Sequence, residues 1–243
     1  MTALSPWLRS CPPDLGLAGL VDLTLLKPET TEADILRLCE EAVAHRMGAV
    51  CVNGQWAGVA AMRLRDTAVR IAVTVGFPLG ATGPVLKAAE ARLAVLDGAT
   101  ELDMVMAVGW AKAGEWDRVG DEIAGVVDAA RGRLVKVILE TAVLLPEEIR
   151  RACRVAVQAG AGMVKTSTGF HPAGGATVEA VRLLRQCVGD AVGVKASGGV
   201  RSVEDACRML LAGANRLGSS SAAGWGPALY RRLDEYLAGH DAG

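Results

Sequence analysis

Histidine is nearly missing from this sequence: there are three in 243 residues, with no H-x-x-x-H pair among them. The six cysteines stand at 11, 39, 51, 153, 187 and 207, with no C-x-x-C spacing. Clustered imidazole and thiolate ligands are what a zinc site is built from, so no metal is expected. A basic excess is missing as well. The formal charge is -1 and the pI about 6.3, with both signs scattered, which argues against a nucleic-acid-binding face. No apolar run reaches the roughly 18 residues of a membrane span. The opening MTALSPWLRSCPPD lacks the basic start and apolar core of a secretion signal. These absences lead us to expect a reduced, cytoplasmic protein that engages neither membranes nor nucleic acids. Hydrophobic residues make up 51% of the chain, enough for one large core.

Lysine is the other scarcity, supplying only six of the 26 basic residues while arginine supplies the rest. Yet Lys136 lies in LVKVILE, Lys165 in GMVKTST and Lys195 in AVGVKASGG, each among aliphatic residues. Arginine does not shed its proton at accessible pH, whereas a desolvated lysine does, and only the neutral amine attacks a carbonyl. A single strand lysine is ordinarily a residue that reaches water or pairs with a carboxylate. Three on successive strands favour amine chemistry.

A Gly-Ala step recurs before strand-like runs, in RMGAVCVN (46–53), LDGATELDMV (96–105), AGAGMVK (159–165) and AGANRLG (212–218). Amphipathic stretches such as EADILRLCEEAVAHR (32–46) and VEDACRMLLA (203–212) precede it. A glycine closing a helix in the left-handed conformation, then a short strand, accounts for the pattern. Further strands are expected at 19–26, 70–78, 133–141 and 191–199. Eight alternating strand–helix units imply parallel strands with right-handed crossovers, and so an α/β fold, a single-domain (β/α)8 TIM barrel. An open doubly wound sheet is disfavoured, because no G-x-G-x-x-G follows the first strand. Residues 1–16, with Pro12 and Pro13, read as a lead-in segment, and 17–243 as the barrel.

Strand side chains alternate between faces. Val21, Leu23, Val50, Val52, Leu102, Met104, Val135, Val137, Val164, Val192 and Val194 fall on the face the helices need. The opposite face then holds Asp22, Thr24, Cys51, Asn53, Asp103, Lys136, Lys165 and Lys195, most of them late in their strands, where barrel enzymes place active sites. Unpaired buried charge is costly, so such groups converge only to serve one another and a ligand. An interior ion network, with lysines neutralising Asp22, Asp103 and Glu140, is expected alongside any chemistry. Cys51 reads as a small buried residue rather than a nucleophile.

Two glycine- and serine-rich loops complete the pattern. Gly198 and Gly199 follow Lys195, with Ser202 and Asp205 forming a helix-capping pair, and Gly218-Ser219-Ser220-Ser221 follows the eighth strand. Loops after strands seven and eight are where barrels bind phosphate through backbone amides. Lys165-Thr-Ser-Thr-Gly169 adds a hydroxyl-rich loop at the same end.

Taken together, DLTLLKP (22–28), CVN (51–53), GFPLGAT (76–82), ELDMV (101–105), KVILET (136–141), VKTSTGF (164–170), GVKASGGVR (193–201) and RLGSSS (216–221) resemble the deoxyribose-phosphate aldolase family. The resemblance runs in order over every strand from about 17 to 221. It implies a class I, Schiff-base aldolase without metal or other cofactor, acting on phosphosugar and aldehyde substrates, as a homodimer or homotetramer. The reaction it implies is reversible cleavage of 2-deoxy-D-ribose 5-phosphate to D-glyceraldehyde 3-phosphate and acetaldehyde, in deoxyribose phosphate catabolism. It also implies Lys165 as the Schiff-base lysine, with Lys195 and Asp103 as its catalytic partners. Gly169, Gly198, Gly199, Ser220 and Ser221 take the phosphate-binding positions. Asp22, Thr24, Cys51, Lys136 and Thr166 are expected to shape the substrate pocket. Leu23 stands where many members have histidine, and its parity points it away from the chemistry. Two other readings stay open: a different Schiff-base phosphosugar aldolase or transaldolase-like enzyme, and a non-catalytic phosphosugar-binding barrel.

Overall fold

A computed structural model describes residues 16–230 of the chain. Eight parallel strands close into a barrel in chain order: β1 Val21–Leu25, β2 Ala49–Val52, β3 Arg70–Val75, β4 Glu101–Val105, β5 Leu134–Ile138, β6 Met163–Lys165, β7 Gly193–Ser197 and β8 Arg216–Ser219. Around them run α1 Glu32–Ala44, α2 Ala57–Leu64, α3 Pro84–Leu96, α4 Val108–Lys112, α5 Trp116–Ala129, α6 Pro146–Gln158, α7 Val178–Val188 and α8 Val203–Leu211. This is the expected (β/α)8 architecture. After β8 the chain takes 3-10 turns over Ala222–Tyr230, broken at Gly226, rather than an α-helix. The expected lead-in over 1–16 lies, Gly16 apart, outside the described residues, as does 231–243. Among the described residues no helix is long and apolar enough to cross a membrane.

The helix boundaries follow from side-chain chemistry. Thr31 and Asp34 form a capping box at the start of α1, and Ser202 and Asp205 form the one expected at α8. The Gly-Ala steps close helices as expected in three cases, with Gly98, Gly160 and Gly213 at φ 104°, 91° and 113°. The fourth differs: Arg46 takes the left-handed position, at φ 53°. Gly48 is needed for another reason, since a Cβ there would lie 2.3 Å from the Gly19 carbonyl oxygen.

Strand parity divides the interior. Val21, Leu23, Val50, Val52, Leu102, Met104, Val135, Val137, Val164 and Val194 are buried in one continuous cluster between barrel and helices. Leu23 is therefore a packing residue of that layer. Inside the barrel only a small apolar group, Leu26, Cys51 and Ala72 with Phe77 against it, separates from this core. Ile138, Met163 and Val105 share the inward parity, and the charged residues lie among them.

Candidate active site

The polar interior is built in layers by the strand register, which sets Asp103 beside Lys136, Lys165 beside Lys195, and Lys195 beside Arg216. Only Lys165 ends its strand. Asp103, Lys136 and Lys195 are the third residues of β4, β5 and β7, and Asp22 is the second of β1. The expectation that most of the inward polar residues lie late in their strands holds for Thr24, Cys51, Asn53 and Lys165 and is corrected for the rest: the charged network fills the middle of the barrel, and Lys165 tops it.

Asp103 is the hub. Its Oδ2 accepts from Lys165 Nζ at 2.7 Å and from Lys195 Nζ at 2.7 Å, and its Oδ1 accepts from Lys136 Nζ at 2.8 Å. Lys195 also donates to Asp22 Oδ2. Lys136 reaches Asp22 Oδ2 at 3.4 Å and makes an ion contact with Glu101 Oε2 at 2.6 Å that is not aligned as a hydrogen bond. Below them Arg216 donates to Asp22 Oδ1 at 2.7 Å and to Glu101 Oε1 at 3.1 Å.

Glu101 and Arg216 were missed by sequence reasoning. Glu101 shares the parity of Asp103, which was the available signal. Arg216 opens β8, and it breaks the expectation that every interior cation is lysine. Glu140 is a second correction. It does not join the lysines: its carboxylate turns to the loop after β6 and binds Thr168.

The buried charges of this cluster do not balance. The buried interior cations are Lys136, Lys165, Lys195 and Arg216, against the carboxylates Asp22, Glu101 and Asp103; Arg70, which also pairs with Glu101 at 3.2 Å, is half-exposed to water. One cation is in excess, and in a dry interior the excess is relieved by losing a proton. Lysine is the type that loses it.

The titration tendencies agree on which one. Burial pushes the Lys165 amine below its ordinary value; Asp103 opposes this, and the Lys195 cation adds to the depression. Burial also opposes charge on Lys195, but Asp103 and Asp22 outweigh it and hold that amine above its ordinary value. Lys136 is raised in the same way, with Asp103 and Asp22 overcoming burial. Asp103 is held well below the carboxylate range because Lys136, Lys165 and Lys195 outweigh its burial. Cys51 is pushed up, first by burial and then by the charge of Asp103, so it stays a thiol beside the site.

The remaining expected residues divide. Thr24 donates to the Asp22 carbonyl at 2.8 Å, on the side where Gly218 faces Lys195. A Cβ on Gly218 would meet the Lys195 Cε at 3.3 Å and Ser197 Cβ at 2.9 Å, so this glycine makes room for the lysine. Thr166 joins two strands. Its hydroxyl donates to the Ser197 carbonyl and accepts the Ser197 amide, both at 3.1 Å, clipping β6 to β7.

The three candidate phosphate glycines gather at the rim. Gly169, Gly198 and Gly199 all have positive φ, at 81°, 83° and 86°, a region that side chains other than glycine's disfavour. Ser221 is exposed and donates to the Arg201 carbonyl at 3.1 Å, while Ser219 donates to the Val200 carbonyl at 2.8 Å. The loops after β7 and β8 are thereby tied together, and Ser220 stands exposed between those two anchors. A cavity of about 790 Å³ lies to one side, between the ends of β2 and β3 and helix α3, lined in part by Asn53, Glu90, Leu93 and the edge-to-face pair Phe77 and Phe170; neither the lysines nor the rim glycines line it.

A fourth buried lysine lies outside the barrel. Lys87 of α3 donates to the carbonyls of Gly80 and Val105, each at 2.8 Å, and to Glu122 at 2.5 Å. It is a structural anchor for the loops after β3 and β4, and nothing in its helical sequence context set it apart.

A buried amine held below its ordinary value, a carboxylate shared by three lysines and a glycine-lined rim are the ingredients of imine chemistry. The family model described as DeoC/LacD family aldolase matches residues 17–226. The chain belongs to the DeoC/LacD aldolase family. This aldolase is 51% identical over 208 residues to the deoxyribose-phosphate aldolase of Bacillus subtilis strain 168, an alignment covering 85% of this chain and 93% of that one. It is 50% identical over 205 residues to that of Histophilus somni strain 2336, covering 84% and 91%. The solved tetrameric deoxyribose phosphate aldolase of Aeropyrum pernix superposes with a TM-score of 0.81 at 33% identity, covering 86% of this aldolase and 88% of that chain.

Proposed function

We propose that this aldolase reversibly cleaves 2-deoxy-D-ribose 5-phosphate to D-glyceraldehyde 3-phosphate and acetaldehyde through a Schiff base on Lys165. The observation that carries the reading is the buried Lys165 amine at the end of β6, which shares one oxygen of Asp103 with Lys195 and which burial and the Lys195 charge hold below its ordinary value. Neutral Lys165 adds through its lone pair to the acetaldehyde carbonyl, and the carbinolamine loses water to give an iminium. Loss of a proton from the adjacent carbon yields an enamine. Its carbon attacks the aldehyde carbon of glyceraldehyde 3-phosphate, whose oxygen takes up a proton, and water then releases the product from the lysine.

Asp103 Oδ2, hydrogen-bonded to both amines, is suited to carry protons between Lys195 and the reacting atoms. Lys136, Asp22, Glu101 and Arg216 hold that arrangement in place and keep Lys195 charged. The phosphate is assigned to the backbone of Gly169, Gly198 and Gly199 with Ser220 and Ser221. Product formation from 2-deoxyribose 5-phosphate tests the reading. Lys165→Arg is expected to lower turnover by about a thousandfold or more with the circular dichroism spectrum unchanged; retained turnover refutes the assignment.

The strong identity to aldolases named for deoxyribose phosphate favours this substrate over another phosphosugar, and a role in deoxyribose phosphate catabolism in the cytoplasm goes with it. Self-association, as homodimer or homotetramer, is supported by α3, where Val85, Leu86, Leu93 and Leu96 are all more than half exposed.

A further inference from the structure

Glu140 follows β5 in the left-handed region, at φ 55° and ψ 59°, a conformation that a residue with a side chain adopts at a cost. Its carboxylate is buried, with 3% exposure, and its hydrogen-bond partners are on the loop after β6. The Thr168 hydroxyl donates to it at 2.5 Å, and the Thr168 amide faces both carboxylate oxygens at 3.3 Å. The Thr168 oxygen in turn accepts the Phe170 amide at 3.1 Å. On either side of Glu140 the backbone clamps the same segment: Leu139 donates to the Lys165 carbonyl at 3.0 Å and Thr141 to the Thr166 carbonyl at 2.9 Å.

Between Thr168 and Phe170 lies Gly169, which packs backbone against backbone on Gly198. A Cβ on Gly198 would come within 3.1 Å of the Gly169 Cα. An ionised carboxylate only accepts hydrogen bonds, so it fixes the direction of both Thr168 donors and leaves the hydroxyl oxygen to receive Phe170. The turn that presents Gly169 is therefore set from β5.

We infer that Glu140 is a positioning residue for the phosphate end of the substrate: through Thr168 it holds Gly169 against Gly198 in the geometry that receives the phosphate. The inference rests on the phosphosugar reading above. Glu140 touches no reacting atom, so its loss should spare imine chemistry and impair phosphate recognition.

The test compares kcat and KM for 2-deoxyribose 5-phosphate and unphosphorylated 2-deoxyribose in the full-length Glu140→Gln protein. Replacing a charge-assisted bond is expected to lower kcat/KM for the phosphorylated sugar about tenfold or more, chiefly through KM. For the unphosphorylated sugar the change should stay within about twofold. Thr168→Val should reproduce the selective loss, and Thr168→Ser, which keeps the hydroxyl, should restore wild-type selectivity. Equal losses on both sugars, or no loss on either, overturn the role of Glu140 while leaving the substrate reading intact. A wild-type protein with no preference for the phosphorylated sugar overturns both.

Discussion

Lys165 and Lys195 are the same residue type on neighbouring strands, hydrogen-bonded to the same oxygen of Asp103, and they hold their protons differently. The difference lies in what else each one touches. Lys195 has Asp22 as a second carboxylate, and Asp22 is itself anchored by Arg216. Lys165 has Asp103 alone and a like charge beside it. Because burial and Lys195 both depress the Lys165 amine, its neutral form gains population below the ordinary lysine value of about 10.4.

The rate of imine formation with acetaldehyde is therefore predicted to rise with pH through a limb centred below that value. In Lys195→Met one depressing influence is removed and the charge of Asp103 is less shared, so the limb moves to higher pH. It does not return fully, because burial is the larger cause. A pH–rate profile checks this, and a limb that stays put or moves to lower pH contradicts it. The lysine scarcity pointed to these amines, and parity placed them inside. What the sequence did not display was Arg216, because a lone arginine at the start of a strand looks like any edge residue. Glu140 was placed with the lysines by its alternation, but the chain leaves extended conformation there and turns the side chain elsewhere.

Among the helices and strands, legibility tracks how local the cause is. The capping box of α8 was readable because a serine and an aspartate three residues on are sufficient for it, and α1 opens on the same spacing with Thr31 and Asp34. The role of Gly48 was not, because its neighbour is the Gly19 carbonyl, far from it in sequence. The strand-joining role of Thr166 was not legible either, because its partner, Ser197, is on the next strand. The exposed face of α3 belongs to the same class of non-local facts. Four large apolar residues on an outer helix are not explained by the barrel they surround, and a second copy of the chain would cover them. Light scattering is predicted to give two or four times the chain mass of 25.2 kDa, and Leu93→Glu is predicted to lower it. A single-chain mass for the unaltered protein contradicts the proposed assembly.

For the whole barrel, closure is what makes the chemistry possible. Eight strands with one face given to the helices leave the other converging on a narrow interior, and there the sequence places seven charged side chains among a few apolar ones. Such a cluster is tolerable only when its charges match, and here they match when one lysine is neutral. The alternation of strands and helices was plain in the sequence, and so was the identity of most interior residues. The balance among them needed the register, since it depends on which carboxylate meets which cation across strands. Incubating the protein with acetaldehyde, reducing with borohydride and mapping the adduct by mass tests this account most directly. A reduced two-carbon adduct on Lys165, absent in Lys165→Arg, is predicted; an adduct on Lys195 or Lys136 instead, or none on any lysine, contradicts it.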